Sequence, residues 1–391
     1  MTITFDPHFD IKDPEIIRSP YPAYRRLREE SPAYWHPGLR SWLLSSYADC
    51  ATVLRDVETF SADFRKIDEP TAPELLSIQT VDPPEHTAFR DFLGHGFRSI
   101  SLAELEAQVE ARVQTLLDAS AHHPSFDLIT QVADPLALFT ICSFLGVPLP
   151  LTDETFNRMN DYVDASMDAG FEPGSEQPGI EARRHFNAVV AGWVASPPST
   201  GMVRWVVDNL AQAHLPTSMV VNSVRAFFHA GFEVPSRFIG NALLALLTDP
   251  AAWSQLVEKS GLMESSLEEL ARFAGPVQAV SRACIRPTVL SGKEIREGEI
   301  VVALIAAANR DPIRFANPDQ LVLARDPNPH LAFGRGPHSC LGFRVGLIEL
   351  RAILRVLTTS YPGARVAGIP AWRRNATLRG LRELQVSLVN G

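Results

Sequence analysis

The sequence is short of cysteine. Four occur in 391 residues, Cys50, Cys142, Cys284 and Cys340, and none stands at C-x-x-C spacing. That spacing is what a zinc or iron–sulfur site would show, so neither is signalled. There is no run of about 18 apolar residues, so no membrane anchor is expected. The best stretches are Val301–Ala308 and Pro135–Leu151, and the second is broken by Pro148 and Pro150. Positive charge is in deficit: 36 Lys and Arg stand against 45 Asp and Glu, a formal net charge of -9. This argues against nucleic acid as the main partner. The N-terminus, MTITFDPHFDIKDPEI, has neither a basic start nor an apolar core, so it does not read as a signal peptide. A reducing, cytoplasmic setting is expected. No repeat, low-complexity tract or interdomain linker is visible, and residues 1–391 read as a single domain.

What is present is an ordinary globular composition, 46% hydrophobic. A chain of this size buries roughly three quarters of its unfolded surface, enough for a large core or an enclosed cavity. Helical spacing predominates. It predicts helices over Tyr21–Glu30, Ala48–Arg55, Pro84–Phe97, Leu102–Ser120, Pro135–Leu145 and Ile180–Ser196. Short strands are expected at Trp42–Ser46, Gln278–Leu290 and Glu299–Leu304, and loops at Ala169–Pro178 and Ser196–Gly201. The longest helix starts at Thr217 or Ser218, read as caps after Pro216, and stops at Thr248-Asp249-Pro250. At about 30 residues and 1.5 Å per residue it spans roughly 45 Å, a whole domain. Shorter helices follow in AAWSQLVEKS and SLEELARFAG.

The most informative segment is His330–Gly346, HLAFGRGPHSCLGFRVG. Cys340 lies in a Gly- and Pro-rich loop, with a helix expected from about Leu341. A thiolate there receives loop N–H groups and the positive end of the helix. Gly334, Gly336 and Gly342 let the backbone approach a flat ligand. A lone cysteine beside a turn is more often a buried structural residue. The surrounding spacing argues otherwise.

Phe333-x-x-Gly336-x-x-x-Cys340-x-Gly342 resembles the haem-binding loop of the cytochrome P450 family. The resemblance implies a mainly α fold with small β-sheets, haem b (iron protoporphyrin IX) held between the long central helix and the Cys-loop helix, and Cys340 as its axial ligand. Glu269-x-x-Arg272, with Arg325, resembles the family's structural ion-pair triad. His86-x-x-x-Arg90 in DPPEHTAFR, Arg282 and His338 match the haem-propionate ligands. Ala307–Pro312 and Leu378–Leu384 are also similar to the family, so the likeness runs from about Tyr21 to Leu384.

The chain departs from the family on the long helix. The family's AG-x-[DE]-T stretch reads here Ala230-Gly231-Phe232-Glu233-Val234, followed by Pro235. The acid is Glu233, and the hydroxyl that steers protons is missing at Val234. Pro235 lacks an N–H, so the Gly231 carbonyl loses its helical partner and a kink or opening is expected. By position, Ala226, His229, Ala230 and Val234 face the pocket, and Gln278, Ala279, Val280, Thr377 and Leu378 line another of its walls. Leu75, Leu76 and Ile78 cover its mouth, and Phe156, Met159, Tyr162, Val163 and Met167 belong to a lid. His229 is equally readable as a packed core residue.

The resemblance implies a haem-thiolate monooxygenase or oxidase. It would use O2 to hydroxylate, epoxidise, cyclise or couple a medium-sized, mainly apolar metabolite, in natural-product biosynthesis. No convincing G-x-G-x-x-G occurs, and no fused reductase is expected. Electrons then come from a ferredoxin and its NAD(P)H-dependent reductase, docking near Arg98, Arg335 and Arg344. Two alternatives stand beside this reading. One is a peroxide-driven relative, suggested by Val234 and Pro235 and opposed by Glu233. The other is a haem-free partner protein, opposed by Cys340, His86, Arg90, Arg282 and His338.

Overall fold

In the computed structural model, residues 9–10, 13–149 and 176–388 are described. Helices α1 (Pro14–Arg18) and α2 (Tyr21–Glu30) lead into strands β1 (Ala33–His36) and β2 (Ser41–Leu44), helix α3 (Tyr47–Arg55) and the short β3 (Phe60–Ser61). Two 3-10 turns, Phe64–Ile67 and Pro73–Leu75, precede α4 (Glu85–Ser99) and α5 (Leu102–Ser120). Strand β4 (Phe126–Asp127) and a π-helical turn (Ile129–Ala133) run into α6 (Asp134–Leu145). Then come α7 (Glu176–Ala195), α8 (Gly201–Ala213), the long α9 (Thr217–Leu247), α10 (Pro250–Glu258) and α11 (Met263–Ala274). Strands β5 (Val280–Cys284), β6 (Thr288–Leu290), β7 (Lys293–Ile295) and β8 (Ile300–Ala303) follow, with the one-turn helix α12 (Ile305–Ala308). After a long coil containing Cys340, α13 (Phe343–Ser360) leads to β9 (Arg365–Val366), β10 (Ala371–Trp372), β11 (Leu381–Glu383) and β12 (Gln385–Ser387).

This is the expected mainly α architecture with small sheets. The largest sheet has the order β1-β2-β8-β5-β3, with β2 and β8 parallel and Trp42 opposite Val301. Helices α5, α6, α9 and α13 supply most of the main core, around Val113, Leu136, Phe232, Leu243 and Ile353.

Several sequence expectations need correction. Thr217 and Ser218 do not cap α9; Pro216 holds that position, without a side-chain bond. The helix does run through Pro235 to Leu247, the extent expected from the sequence. Its two faces are clamped by packing, which outweighs a proline cost of about 3 kcal/mol. A Cβ on Gly231 would lie 2.5 Å from Ile141 Cδ1, so α6 presses directly on the helix just before the proline. The strand expected over Gln278–Leu290 is two strands. Pro287 has no N–H to offer a ladder, and β6 pairs only with β7. Helix α8 was not foreseen, although Met202, Val203 and Val206 bury one of its faces. Helix α7 already includes Glu176 to Pro178, expected as loop; residues 169–175 lie outside the described residues.

The Glu269 carboxylate is fully buried, 2.7 Å from Arg272 Nε and 3.0 Å from Arg325 Nε. It also accepts from the Val322 N–H at 2.9 Å. This triad ties α11 to the coil that carries the cysteine loop.

Candidate functional site

The cysteine loop is built by backbone bonds. The Cys340 N–H donates to the Phe333 carbonyl at 2.8 Å and the Ser339 N–H to the Gly336 carbonyl at 3.0 Å. Gly336 has φ +75°, and a Cβ there would meet the Leu54 carbonyl oxygen at 2.6 Å. Only glycine fits where the loop lies on the end of α3. Gly342 caps α13, so the helix begins two residues later than expected. Burial pushes the Cys340 thiol up, while the Gly342 N–H and the Arg90 guanidinium pull it down; the net direction is upward. A bound metal ion removes that proton by coordination.

Cys340 is exposed although it lies inside the body of the protein. The same holds on α9. Ala230 is exposed and Phe227 and Val234 are half-buried, while Phe228 and Phe232 on the other face are fully buried. Positions 227, 230 and 234 share one helical face. Phe97 links the two sides, its ring 5.0 Å from Phe227 and 3.7 Å from the Cβ position of Gly342. An internal hollow with largely apolar walls therefore separates the middle of α9 from the Cys340 loop.

One edge of this hollow is rich in donors. The His86 and His338 rings stand 4.2 Å apart. His338 Nε2 is 3.7 Å from Asp82 Oδ1 and, among the described residues, has no partner within hydrogen-bond distance. Buried Arg282 donates to the carbonyl of its neighbour Ser281 at 2.8 Å. Burial, together with His338 and Arg90, pushes the His86 pKa down to about 4. Burial opposes the Asp82 charge, but His338, Lys66, Ser61 and the Ala62 N–H together hold its carboxyl below the usual carboxylate range. Buried donors thus outnumber acceptors, which suits a ligand carrying carboxylates. With the exposed thiol, the donor set fits haem. Arg90 stands nearer the cysteine than expected: Nη1 donates to the Ser339 carbonyl at 2.5 Å and Nη2 to Ser339 Oγ at 3.3 Å.

On α9 the Glu233 carboxylate is buried and lies 3.9 Å from Arg237, one turn on. Arg237 also donates to the Leu378 carbonyl. A Cβ on Gly380 would come within 2.5 Å of the Arg237 side chain, so glycine there makes room for it. Ser236 donates to Asp134 at the start of α6, on the side of α9 away from Ala230. Burial raises the Asp134 carboxyl, against Ser236, Arg373 and Arg237. The i,i+4 spacing of Glu233 and Arg237 was a usable signal for their pairing.

The expected pocket residues divide. Ala230, Val234, Leu76, His229, Ala279, Val280 and Thr377 retain exposed surface. Ala226, Ile78 and Leu378 are buried. Gln278 is turned away: its Oε1 accepts from Tyr24 Oη at 3.4 Å and its Nε2 donates to the Gly275 and Pro276 carbonyls. Its amide is therefore spent on the N-terminal side of the sheet. His229 packs edge-on against Phe186 at 4.7 Å. Phe156, Met159, Tyr162, Val163 and Met167 lie outside the described residues.

A cysteine turned into an apolar hollow beneath a long helix, beside a carboxylate-binding edge, defines a haem-thiolate oxidoreductase. The comparisons agree. The cytochrome P450 family profile matches residues 211–360. A putative cytochrome P450 126 of Mycobacterium tuberculosis is 29% identical over 402 residues, covering 95% of each chain. The epothilone C/D epoxidase of Sorangium cellulosum is 28% identical over 404 residues, covering 98% of this chain and 96% of that one. The crystal structure of CYP109E1 from Bacillus megaterium with testosterone superposes at TM-score 0.88, with 25% identity, over 96% of this chain and 99% of that one. The chain belongs to the cytochrome P450 family. It is an oxidoreductase of the monooxygenase type, its cofactor is haem, and it relies on redox partners and O2. No described helix is long and apolar enough to cross a membrane.

Proposed function

We propose that this protein is a ferredoxin-fed haem b monooxygenase of the cytoplasm, a single haem domain oxidising a medium-sized, mainly apolar metabolite in natural-product biosynthesis. The exposed Cys340 thiol inside the hollow carries the reading. Haem bound here would supply O2 activation. Cys340 would hold the iron through its sulfur. Phe333, Gly336 and Gly342 shape the loop around the sulfur. Arg282, His338 and His86 would hold the propionates, and Arg90 holds the loop through Ser339 as well as facing that edge. Phe227, Ala230 and Val234 offer an apolar wall to substrate and exclude water. Gly231 keeps α9 close to α6, and Glu233 organises proton supply.

The epothilone C/D epoxidase supports the natural-product assignment by its name and its likeness along nearly the whole chain. Exposed Arg98 and Arg344 flank the cysteine loop and suit an acidic electron donor despite the net charge of -9.

The test is Cys340→Ala. The variant should lose the thiolate-type absorption of the reduced carbon monoxide complex; a variant that keeps it overturns the assignment. Turnover with peroxide, and none with ferredoxin and reductase, would move the protein to the peroxide-driven reading.

A further inference from the structure

The segment Pro73–Thr80 belongs to no sheet or long helix, yet it is pinned to α9. Asn222 Nδ2 donates to the carbonyls of Pro73 at 2.9 Å and Leu76 at 2.8 Å. The neighbouring Ser223 Oγ accepts from the Ile78 N–H at 3.0 Å and donates to the Met219 carbonyl at 2.7 Å. Asn222 is 4% exposed and Ser223 is 0% exposed. Both amide protons of one side chain, and both functions of the next hydroxyl, are thus used, with three of the bonds joining parts of the chain some 145 residues apart or more.

The segment also closes on itself. Thr80 Oγ1 donates to the Leu75 carbonyl at 2.9 Å and accepts from the Ser77 N–H at 3.0 Å. It therefore moves as a unit or not at all. A surface connection without such ties opens readily. Buried hydrogen bonds of this kind oppose opening, because each donor and acceptor would lose its partner.

Position along α9 sets the consequence. Asn222 lies one and two helical turns before Ala226 and Ala230, about 6 and 12 Å at 1.5 Å per residue. Ala230 is the residue of that helix most open to the hollow. Half-buried Leu76, whose carbonyl Asn222 holds, stands on the pinned segment at that end.

We propose that Asn222 and Ser223 are specificity-determining positioning residues: they hold the Pro73–Thr80 segment as a fixed wall of the substrate chamber, so that the chamber selects ligands by size. The inference rests on the chamber above Cys340 being the substrate site. A wall fixed in this way slows bulky ligands and leaves small ones unaffected.

The experiment uses the haem-loaded protein and two iron-binding azoles, imidazole and clotrimazole, followed by the Soret shift. Hydrogen exchange at the Ile78 amide is measured in the same samples. Ser223→Ala is the mild variant and Asn222→Leu the stronger one. Each should speed clotrimazole association by about tenfold, the equivalent of one buried hydrogen bond. Imidazole should stay within roughly twofold, and Ile78 exchange should accelerate about tenfold in Ser223→Ala. Equal changes for the two azoles, or unchanged Ile78 protection in Ser223→Ala, overturns the proposal. If the parent protein gives no Soret shift with imidazole, the chamber reading itself fails, and the fixed wall fails with it.

Discussion

Arg237 Nη2 lies 3.9 Å from Glu233 Oε1, one turn along the same buried helix face. The acid next to Val234 is thus paired within its own helix. Arg237→Leu should cost about 3–5 kcal/mol, the range for removing one partner of a buried ion pair. The double variant Glu233→Leu/Arg237→Leu should recover most of that loss. Guanidinium unfolding of the parent, both single variants and the double variant gives the coupling. A coupling near zero would show that the pair does not hold the acid.

Arg282 sits buried at the donor-rich edge, bonded to its neighbour's carbonyl. Arg282→Ala should weaken haem retention by about 2–5 kcal/mol, as when a buried charge loses its partner. Lys259 is exposed at the end of α10, so Lys259→Ala should change nothing. Haem transfer to apomyoglobin reads both. Equal transfer rates would remove Arg282 from the propionate set.

Two glycines near Cys340 should respond in opposite directions. Gly336→Ala meets the Leu54 carbonyl and a positive φ, so it should cost about 2 kcal/mol or more and lower haem content. At Gly346, inside α13, a Cβ would meet nothing within 4 Å. Gly346→Ala should therefore stabilise by about 0.5–1 kcal/mol through helix propensity. Thermal melts distinguish the two.

Glu349 on α13 is fully buried, with the Thr140 side chain beside its carboxyl. Burial raises its pKa well above the ordinary value, so the native state keeps the proton. The unfolded chain releases it above about pH 4.3, so this group lowers stability as pH rises. Glu349→Gln removes that dependence. The variant should be more stable than the parent near pH 8, with the difference shrinking toward about pH 5. Urea midpoints at several pH values check it, and a constant difference would show that Glu349 does not titrate as described.

Much of the fold and site was legible in the sequence because it depends on local order. The extent of α9 followed from apolar spacing and from Thr248-Asp249-Pro250. The cysteine loop followed from glycines at fixed offsets from Cys340. His86, Arg282 and His338 were picked out by motif, and the structure brings them to one edge although 252 positions separate His86 from His338. Pairings across the chain had no local signature. Nothing near Gln278 announced that Tyr24 would take its amide, and nothing near Asn222 announced the carbonyls of Pro73 and Leu76. Pro235 read as a kink or opening because local propensity counts only the lost hydrogen bond.

The sequence by itself determined which residues could serve haem, because glycine backbone freedom, thiol chemistry and guanidinium charge belong to single residues at set spacings. Only the tertiary structure decided that α6 presses on α9 at Gly231, that Glu233 is held by Arg237, and that Gln278 faces away from the hollow. Those outcomes depend on which side chains meet across the core. There, packing of α6 on Gly231 and the room left by Gly380 outweigh any preference a residue carries alone.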